Sequence, residues 1–299
     1  MSRKVTILLL LNGLVLATHT LLARQASLSG VAPLVYALVS AAGAAVFLGL
    51  YRAARPAGAG GITRTIALYG LVAGFVSIAL PQALIYSASA YVSAGIASLA
   101  YAFPTPLTYV LAALFGIERA SKGRTLGVGI AFAGAVGLAV SRSAAVSGDA
   151  LWIGLAMLAP VAIAFGNIYR QRFWPPGSQP LDLAFAMSSA ASLWLGLALL
   201  ATVAAGTPPP AILPAGYGYL AAAAAVAAVG NVIYFELQRS GGIVSFSQIG
   251  YVGAVLGLLG GAVLLGERYA ASTWIAALVI AAGVAVSEIL KRRGAAARP

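Results

Sequence analysis

The chain has 299 residues, of which 61% are hydrophobic and only 8% are charged, whereas a soluble domain carries about 25% charged residues. These values exclude a soluble globular protein, which needs more surface charge, and a disordered chain, which has little apolar surface to bury. With no Cys and a single His, the sequence argues against a metal site, and we expect no metal and no cofactor. The net charge of +12 is spread in small groups between apolar runs, so we expect no nucleic-acid partner.

Ten apolar segments follow one another along the chain, each near the roughly 20 residues that a helix needs to cross a bilayer. We therefore predict an all-α polytopic membrane protein with ten transmembrane helices in contact with lipid. Too few residues remain between them for a soluble domain. The predicted spans are Val5–Ala23, Ala32–Tyr51, Ile66–Ser89, Ser93–Phe115, Arg124–Ser141, Leu151–Tyr169, Asp182–Val203, Gly216–Gln238, Ile243–Leu265 and Thr273–Leu290.

The first span has a second interpretation as a cleaved signal peptide. Arg3 and Lys4 precede its apolar run, and Leu22-Ala23-Arg24 offers a poor cleavage site. We favour a membrane span, because the run is longer than the apolar core of a normal signal peptide and its removal would leave an odd set of spans.

Basic residues are distributed unevenly between the loops that these spans define. If the N-terminus is cytoplasmic, 15 of the 18 Lys and Arg residues, Arg170 and Arg172 among them, fall in inner segments. Only Arg24, Arg142 and Arg268 fall outside. This positive-inside bias predicts that both termini are cytoplasmic. The Ala- and Gly-rich composition suits a bacterial chain, so we expect the inner membrane of a bacterium.

The two halves of the sequence resemble each other. Ser93–Ser98 matches Ser240–Ser245 at an offset of 147 residues, and Glu118-Arg119 matches Glu267-Arg268 at an offset of 149. Gly134 matches Gly283 at that same offset. We predict two five-helix repeats, residues 1–147 and 148–299. Because five is odd, the repeats must insert with opposite orientations, which is typical of secondary transporters with a site at the repeat interface.

This duplicated ten-helix pattern resembles the drug/metabolite transporter superfamily, and the EamA-type exporters in particular. Two short segments, Tyr101-Ala102-Phe103-Pro104 and Gly230-Asn231-Val232, resemble the YddG-type amino-acid exporters more narrowly. The resemblance implies export of amino acids or similar small metabolites by alternating access. It also implies that Tyr101, Phe103, Phe165, Asn231 and Tyr251 face a central cavity.

Proline and glycine interrupt several predicted spans. Pro81, Pro104, Pro106 and Pro160 each remove a backbone donor, and we predict helix kinks there, those at Pro104 and Pro106 beside a cavity. Glycines four residues apart, at Gly70 and Gly74 and from Gly253 through Gly257 to Gly261, predict close packing between helices.

Polar side chains at membrane depth are costly and mark functional sites. Here they are nearly all uncharged, which predicts a polar, neutral cavity for a small-molecule substrate. Each one singly has an alternative role, since it could satisfy the backbone of a kinked neighbour. The predicted cavity residues are His19, Gln82, Tyr86, Tyr101, Phe103, Phe165, Asn231, Tyr234, Gln248 and Tyr251.

The six acidic residues, Glu118, Asp149, Asp182, Glu236, Glu267 and Glu288, all fall near span ends. A proton relay usually needs an acid inside the bundle, so we predict a facilitated, gradient-driven uniporter. A proton-coupled drug or metabolite exporter is the alternative, with His19 as the titratable group or, equally, as a structural one. A membrane-embedded enzyme is a rival of another class, but no nucleophile–base pair, carboxylate pair or phosphate-binding motif supports it. A channel is also disfavoured, because channels usually have symmetric subunits, and a monomer is compatible with the sequence.

Overall fold

The computed structural model describes residues 3–54, 61–91, 101–117, 121–143, 150–208, 212–241, 246–266 and 268–296. Regular structure within these ranges is entirely helical. The helices, in chain order, are α1 (Arg3–Leu28), α2 (Pro33–Ala53), α3 (Arg64–Gly74), a π-helical turn (Phe75–Ala79), α4 (Leu80–Tyr91), α5 (Pro104–Leu114), α6 (Lys122–Ser143), α7 (Ala150–Arg172), α8 (Pro180–Ala204), α9 (Pro214–Gly241), α10 (Ile249–Leu264) and α11 (Ala271–Ala296).

Five helical segments of the described chain are long and apolar enough to cross a membrane: Arg3–Leu28, Pro33–Ala53, Arg64–Ala88, Pro180–Ala204 and Pro214–Gly241. Shorter apolar helices accompany them. Large apolar side chains point outward from the bundle, with Leu50 67%, Leu114 76% and Val263 79% exposed. An apolar outer surface of this kind fits lipid and not water. The prediction of an all-helical, multi-pass membrane protein is confirmed at this level. The count of ten spans and the orientation stay predictions.

Parts of the predicted pattern lie outside the described residues. These are Val92 at the junction after the third span, the Ser93–Ser98 match, Glu118-Arg119, residues 242–245 and Glu267. Each predicted span nevertheless overlaps a described helix. The helices often extend past the apolar run, as α1 does to Leu28, because a helix continues until a residue stops it and not until hydropathy falls.

Glycine supplies that stop at two of the long helices. Gly30 after α1 and Gly206 after α8 both have a φ of 78°, a left-handed conformation that costs glycine nothing. The next residues turn back on the helix, since the amide of Val31 donates to the carbonyl of Ala26 and that of Thr207 to that of Thr202, both at 3.0 Å. This Schellman geometry satisfies carbonyls that the helix end would leave free.

Helix contacts occur in matched sets. α1 packs on α9 and α10, while α7 packs on α4 and α5. α2 packs on α9, while α8 packs on α3. Two further contacts, α2 with α8 and α6 with α11, join helices at equivalent places in the two halves of the chain. Each of these contacts made by the first half therefore has a counterpart made by the second.

Glycines allow the closest of these approaches. A Cβ at Gly134 of α6 would lie 2.8 Å from the amide nitrogen of Ile280 in α11, and a Cβ at Gly283 of α11 would collide with the backbone of Ala131 in α6. Gly70 and Gly74 face α8 in the same way, at Ala186 and at Met187 and Ala190. Gly253 faces Leu16 of α1. The prediction of close helix packing is confirmed at Gly70, Gly74 and Gly253, whereas a Cβ at Gly257 would make only an ordinary contact, 4.0 Å from Ala17 Cβ.

Candidate functional site

A cavity of about 170 Å³ lies between helices from both halves of the chain. Helices α1, α2, α4, α7, α8 and α9 form its walls, with the π-helical turn and residues at the starts of α5 and α10. No Asp, Glu, Lys or Arg of the described chain lines it. The polar lining residues are Asn12, His19, Ser77, Gln82, Tyr86, Tyr101, Asn167, Ser188, Asn231, Tyr234 and Ser247.

Six of the ten side chains predicted for the cavity lie in these walls: His19, Gln82, Tyr86, Tyr101, Asn231 and Tyr234. The structure therefore brings together residues from three helices, α1, α4 and α9, and from the turn before α5, which are up to 215 positions apart in sequence. Asn12 and Asn167, which are also polar residues within predicted spans, line the cavity as well. The serines of the lining were not predicted, because serine is common in apolar helices and carries little signal alone.

The other four predicted side chains lie elsewhere. Phe165 is 51% exposed on the outer surface of α7, because the neighbouring positions Ala164 and Asn167 take the inward face. Phe103 packs edge-to-face on Phe132 of α6, with ring centroids 5.8 Å apart. Both phenylalanines are therefore left out of the cavity.

Gln248 and Tyr251 are buried but turned away from the cavity. Three residues apart, they share one helix face, and that face packs toward α11. Gln248 donates from Nε2 to the hydroxyl of Ser287 at 2.9 Å, and Tyr251 sits in a cluster with Ala276 and Ile280. The adjacent positions Ile249 and Gly250 reach the cavity in their place.

The third predicted span is broken at its centre by the π-helical turn. Pro81 has no amide hydrogen and its ring would collide with the carbonyl four residues earlier, that of Ser77. The amide of Leu80 donates instead to the carbonyl of Phe75, five residues back. Such turns are frequent at functional sites. This one brings Ser77, Pro81 and Gln82 to the cavity. Among the described residues, neither Ser77 Oγ nor Gln82 Oε1 has a hydrogen-bond partner.

The other predicted kinks have different outcomes. Residues 101–103 form a turn and α5 begins at Pro104, so Pro104 and Pro106 occupy the first helical turn, where a missing amide hydrogen costs nothing. Pro104 lines the cavity and Pro106 does not. Pro160 is buried within α7, which continues through it without a break.

His19 lies in the C-terminal half of α1 and contacts α2. The hydroxyl of Tyr36 donates to the carbonyl of His19 at 3.0 Å and lies 3.2 Å from its Nδ1 atom. The ring of Tyr36 then meets that of Tyr86 edge-to-face, with centroids 5.2 Å apart. One ring nitrogen of His19 is thus engaged in a buried contact between helices.

Amide side chains connect the cavity walls. Asn231 of α9 donates from Nδ2 to the hydroxyl of Ser188 in α8 at 2.9 Å. Asn167 of α7 donates from Nδ2 to the hydroxyl of Thr108 in α5, also at 2.9 Å. These bonds fix the rotamers of Asn231 and Asn167. Each bond uses one of the two hydrogens on Nδ2, so the second hydrogen can be donated to a ligand.

Sequence analysis placed Arg170 in an inner loop, and this was wrong. The side chain is fully buried in the last turns of α7. Its Nη2 atom donates to Asn167 Oδ1 at 2.5 Å, and its guanidinium lies 4.6 Å from the ring centroid of Tyr234 and 4.9 Å from that of Phe246. A polar residue one turn earlier on the same face, Asn167, was the signal that could have identified it.

Two of the acids near span ends, Asp182 and Glu236, are held in ion pairs. Asp182, in the first turn of α8, accepts from Arg52 Nε at 2.6 Å. Glu236 of α9 pairs with Lys4 of α1 at 2.5 Å and with Arg239 at 2.9 Å. Glu118, Asp149 and Glu267 lie outside the described residues.

Comparison with known proteins bears on the fold alone. No protein-family model matches the sequence, and no curated protein matches it either. Among solved structures, one described only as "Crystal structure of protein" superposes with a TM-score of 0.72 over 98% of this chain and 100% of that chain, at 18% identity. The chain therefore shares its fold with that protein over nearly its whole length.

Proposed function

We propose that this chain is a secondary transporter that carries amino acids or similar small metabolites across a bacterial inner membrane by alternating access. The observation that carries the proposal is the cavity, which is small, uncharged in its lining and enclosed by helices of both halves. Buried polar atoms without a partner are rare in folded proteins and call for an explanation. A hydrogen-bonding solute explains Ser77 Oγ and Gln82 Oε1.

The size of the cavity favours a small solute. Its volume of about 170 Å³ is below the roughly 300–1,000 Å³ typical of pockets for drug-sized ligands. Its lining combines amide and hydroxyl groups with the rings of Tyr86, Tyr101 and Tyr234. Such a lining suits the polar ends and the apolar side chain of an amino acid better than a bulky drug.

The matched helix contacts support two inverted repeats and, with them, alternating access. Exchanging residues 1–147 with 148–299 turns each contact of α1 into the corresponding contact of α7. At residue level, the contact of Gly134 with Ile280 becomes that of Gly283 with Ala131, both partners shifting by the 149 residues seen in the sequence. The proposed site lies where the two repeats meet.

Gradient-driven uniport fits the distribution of charge. No acid of the described chain lines the cavity, and Asp182 and Glu236 are engaged in ion pairs near helix ends. Proton-coupled export remains the second candidate, because the titratable His19 does line the cavity. With both termini cytoplasmic, these ion pairs would lie on the inner side.

A pair of tryptophan substitutions on α9 tests the site. Ala227 lines the cavity, whereas Ala225 of the same helix is exposed on its outer face. We expect Ala227→Trp to abolish most uptake of amino acids into liposomes containing the purified protein, because the indole fills the cavity. Ala225→Trp should transport as the wild type does.

Both variants should be monodisperse in detergent, which controls for folding. Equal transport by the two folded variants would contradict the assignment of this cavity as the site. If the wild type transports no member of a panel of amino acids and small metabolites, the proposed function itself is contradicted.

A further inference from the structure

Arg170 is a buried cation that makes no ion pair within the part of the chain that the structure describes. None of its side chain is exposed, and a guanidinium stays protonated in proteins. Its contacts within the described chain are to neutral groups: the carbonyl of Gly166 at 3.2 Å, Asn167 Oδ1, and the rings of Tyr234 and Phe246. Its Nη1 atom is buried and has no hydrogen-bond partner in the described chain.

A charge in this state is expensive. Removing an ion from water costs several kcal/mol even after relaxation, and the cost is recovered only by a well-placed opposite charge with hydrogen bonds. The cation–π contacts with Tyr234 and Phe246 recover only part of this cost. The site therefore gains most from an anionic group that approaches the guanidinium.

The guanidinium lies immediately behind one part of the cavity wall. Asn167, Tyr234 and Phe246, which it contacts, all line the cavity. Arg170 follows Asn167 by one turn of α7. It therefore lies beside the end of the cavity that is nearest to the C-terminus of α7. A guanidinium presents parallel donors that match the two oxygens of a carboxylate.

Groups of the opposite polarity also line the cavity. Gln82 Oε1 and Ser77 Oγ are unpartnered oxygens, and Gln82 Oε1 can only accept hydrogen bonds. An ammonium group, which only donates, is the natural complement to such acceptors. The cavity thus has unpartnered neutral acceptors in its lining and a buried guanidinium directly behind the lining residues Asn167, Tyr234 and Phe246.

We propose that Arg170 is the carboxylate-recognition residue of this transporter, and that a zwitterionic substrate binds with its carboxylate toward Arg170 and its ammonium toward Gln82 and Ser77. The inference rests on the proposed transport function and adds the class of substrate and its orientation. Amines and amides of the same size are then poor substrates, because they leave the buried guanidinium unpaired.

Competition between analogues tests this with the full-length protein in liposomes. The L-amino acid with the largest flux is competed by its amide, its decarboxylated amine and its 2-hydroxy acid. We expect the amide and the amine to compete at least about tenfold more weakly than the amino acid, which corresponds to about 1.4 kcal/mol. The hydroxy acid, which keeps the carboxylate, should compete better than both.

Substitutions then assign the effect to Arg170. Arg170→Gln should raise KM at least about tenfold and remove the discrimination between the amino acid and its amide. Arg170→Lys should keep part of that discrimination, because the charge remains while the paired donors are lost. Arg172→Gln changes an exposed Arg in the same helical turn and should leave KM and discrimination unchanged.

The outcomes separate the two proposals. Amide and amine that compete as well as the amino acid overturn this inference and leave transport standing, and this comparison needs only the wild type. Undiminished discrimination in a folded Arg170→Gln or Arg170→Lys variant overturns the assignment to Arg170. Absence of saturable flux for every amino acid overturns the transport function, and the inference with it.

Discussion

Tyr36 and Tyr251 are both buried tyrosines, 1% and 0% exposed, and they differ in what their hydroxyl groups contact. The hydroxyl of Tyr36 donates to the carbonyl of His19, whereas that of Tyr251 has no partner. We expect Tyr36→Phe to lower the free energy of unfolding by about 1 kcal/mol and Tyr251→Phe to be neutral or stabilising, because only the first breaks a hydrogen bond.

Thermal unfolding in detergent measures the difference. The midpoint of Tyr36→Phe should fall below that of the wild type, and the midpoint of Tyr251→Phe should equal or exceed it. The reverse order would show that the hydroxyl of Tyr251 has a role that its buried surroundings do not reveal.

Individual residues of the site show what the hydropathy pattern could predict and what it could not. It located polar residues at depth, so Gln82, Tyr86 and Asn231 were identified correctly as lining a cavity. It could not give the rotation of a helix that is apolar all round, and Gln248 and Tyr251 therefore turned out to face α11. Arg170 was assigned to a loop because a charge near a span end usually lies there, and only the fold shows that it is enclosed.

At the scale of elements, α6 and α11 approach each other closely, and two glycines of α6 offer a matched test of that approach. A Cβ at Gly127 would collide with the backbone of Ser287, whereas nothing lies within 4 Å of a Cβ at Gly129. We expect Gly127→Ala to destabilise the protein by about 1–3 kcal/mol, the usual cost of overpacking. Gly129→Ala should be neutral or stabilise it by up to about 1 kcal/mol, since alanine favours the helix.

Unfolding midpoints of the two variants decide the matter. Equal stability of Gly127→Ala and Gly129→Ala would mean that α6 and α11 do not approach as closely as described.

The residues at which helices begin, end or change type depend on local hydrogen bonds. A hydropathy average over many residues does not detect these bonds. Each predicted span overlaps a described helix and Pro81 was recognised as an interruption, while the count of ten spans stays a prediction. The sequence did not indicate that the interruption is a π-helical turn, because that depends on where the amide of Leu80 finds an acceptor. Pro104 was placed inside a span, but it starts α5 after a turn.

At the scale of the whole molecule, the scarcity of charge determines both the fold and the proposed mechanism. Apolar helices pack in matched sets around a neutral cavity, and the acids that the structure describes with their contacts are ion-paired near helix ends. The carrier we propose therefore needs no proton relay. The fold class followed from composition alone, whereas the matched contacts required the structure, since weak repeats in sequence do not specify which helices touch.

The most direct test of this account is the initial rate of amino-acid uptake into liposomes containing the purified protein, measured against substrate concentration with and without a protonophore. We predict a rate that saturates with concentration and that the protonophore leaves unchanged. A rate that rises linearly without saturation would indicate a channel, and a rate abolished by the protonophore would indicate a proton-coupled transporter; either result would contradict the uniporter proposed here.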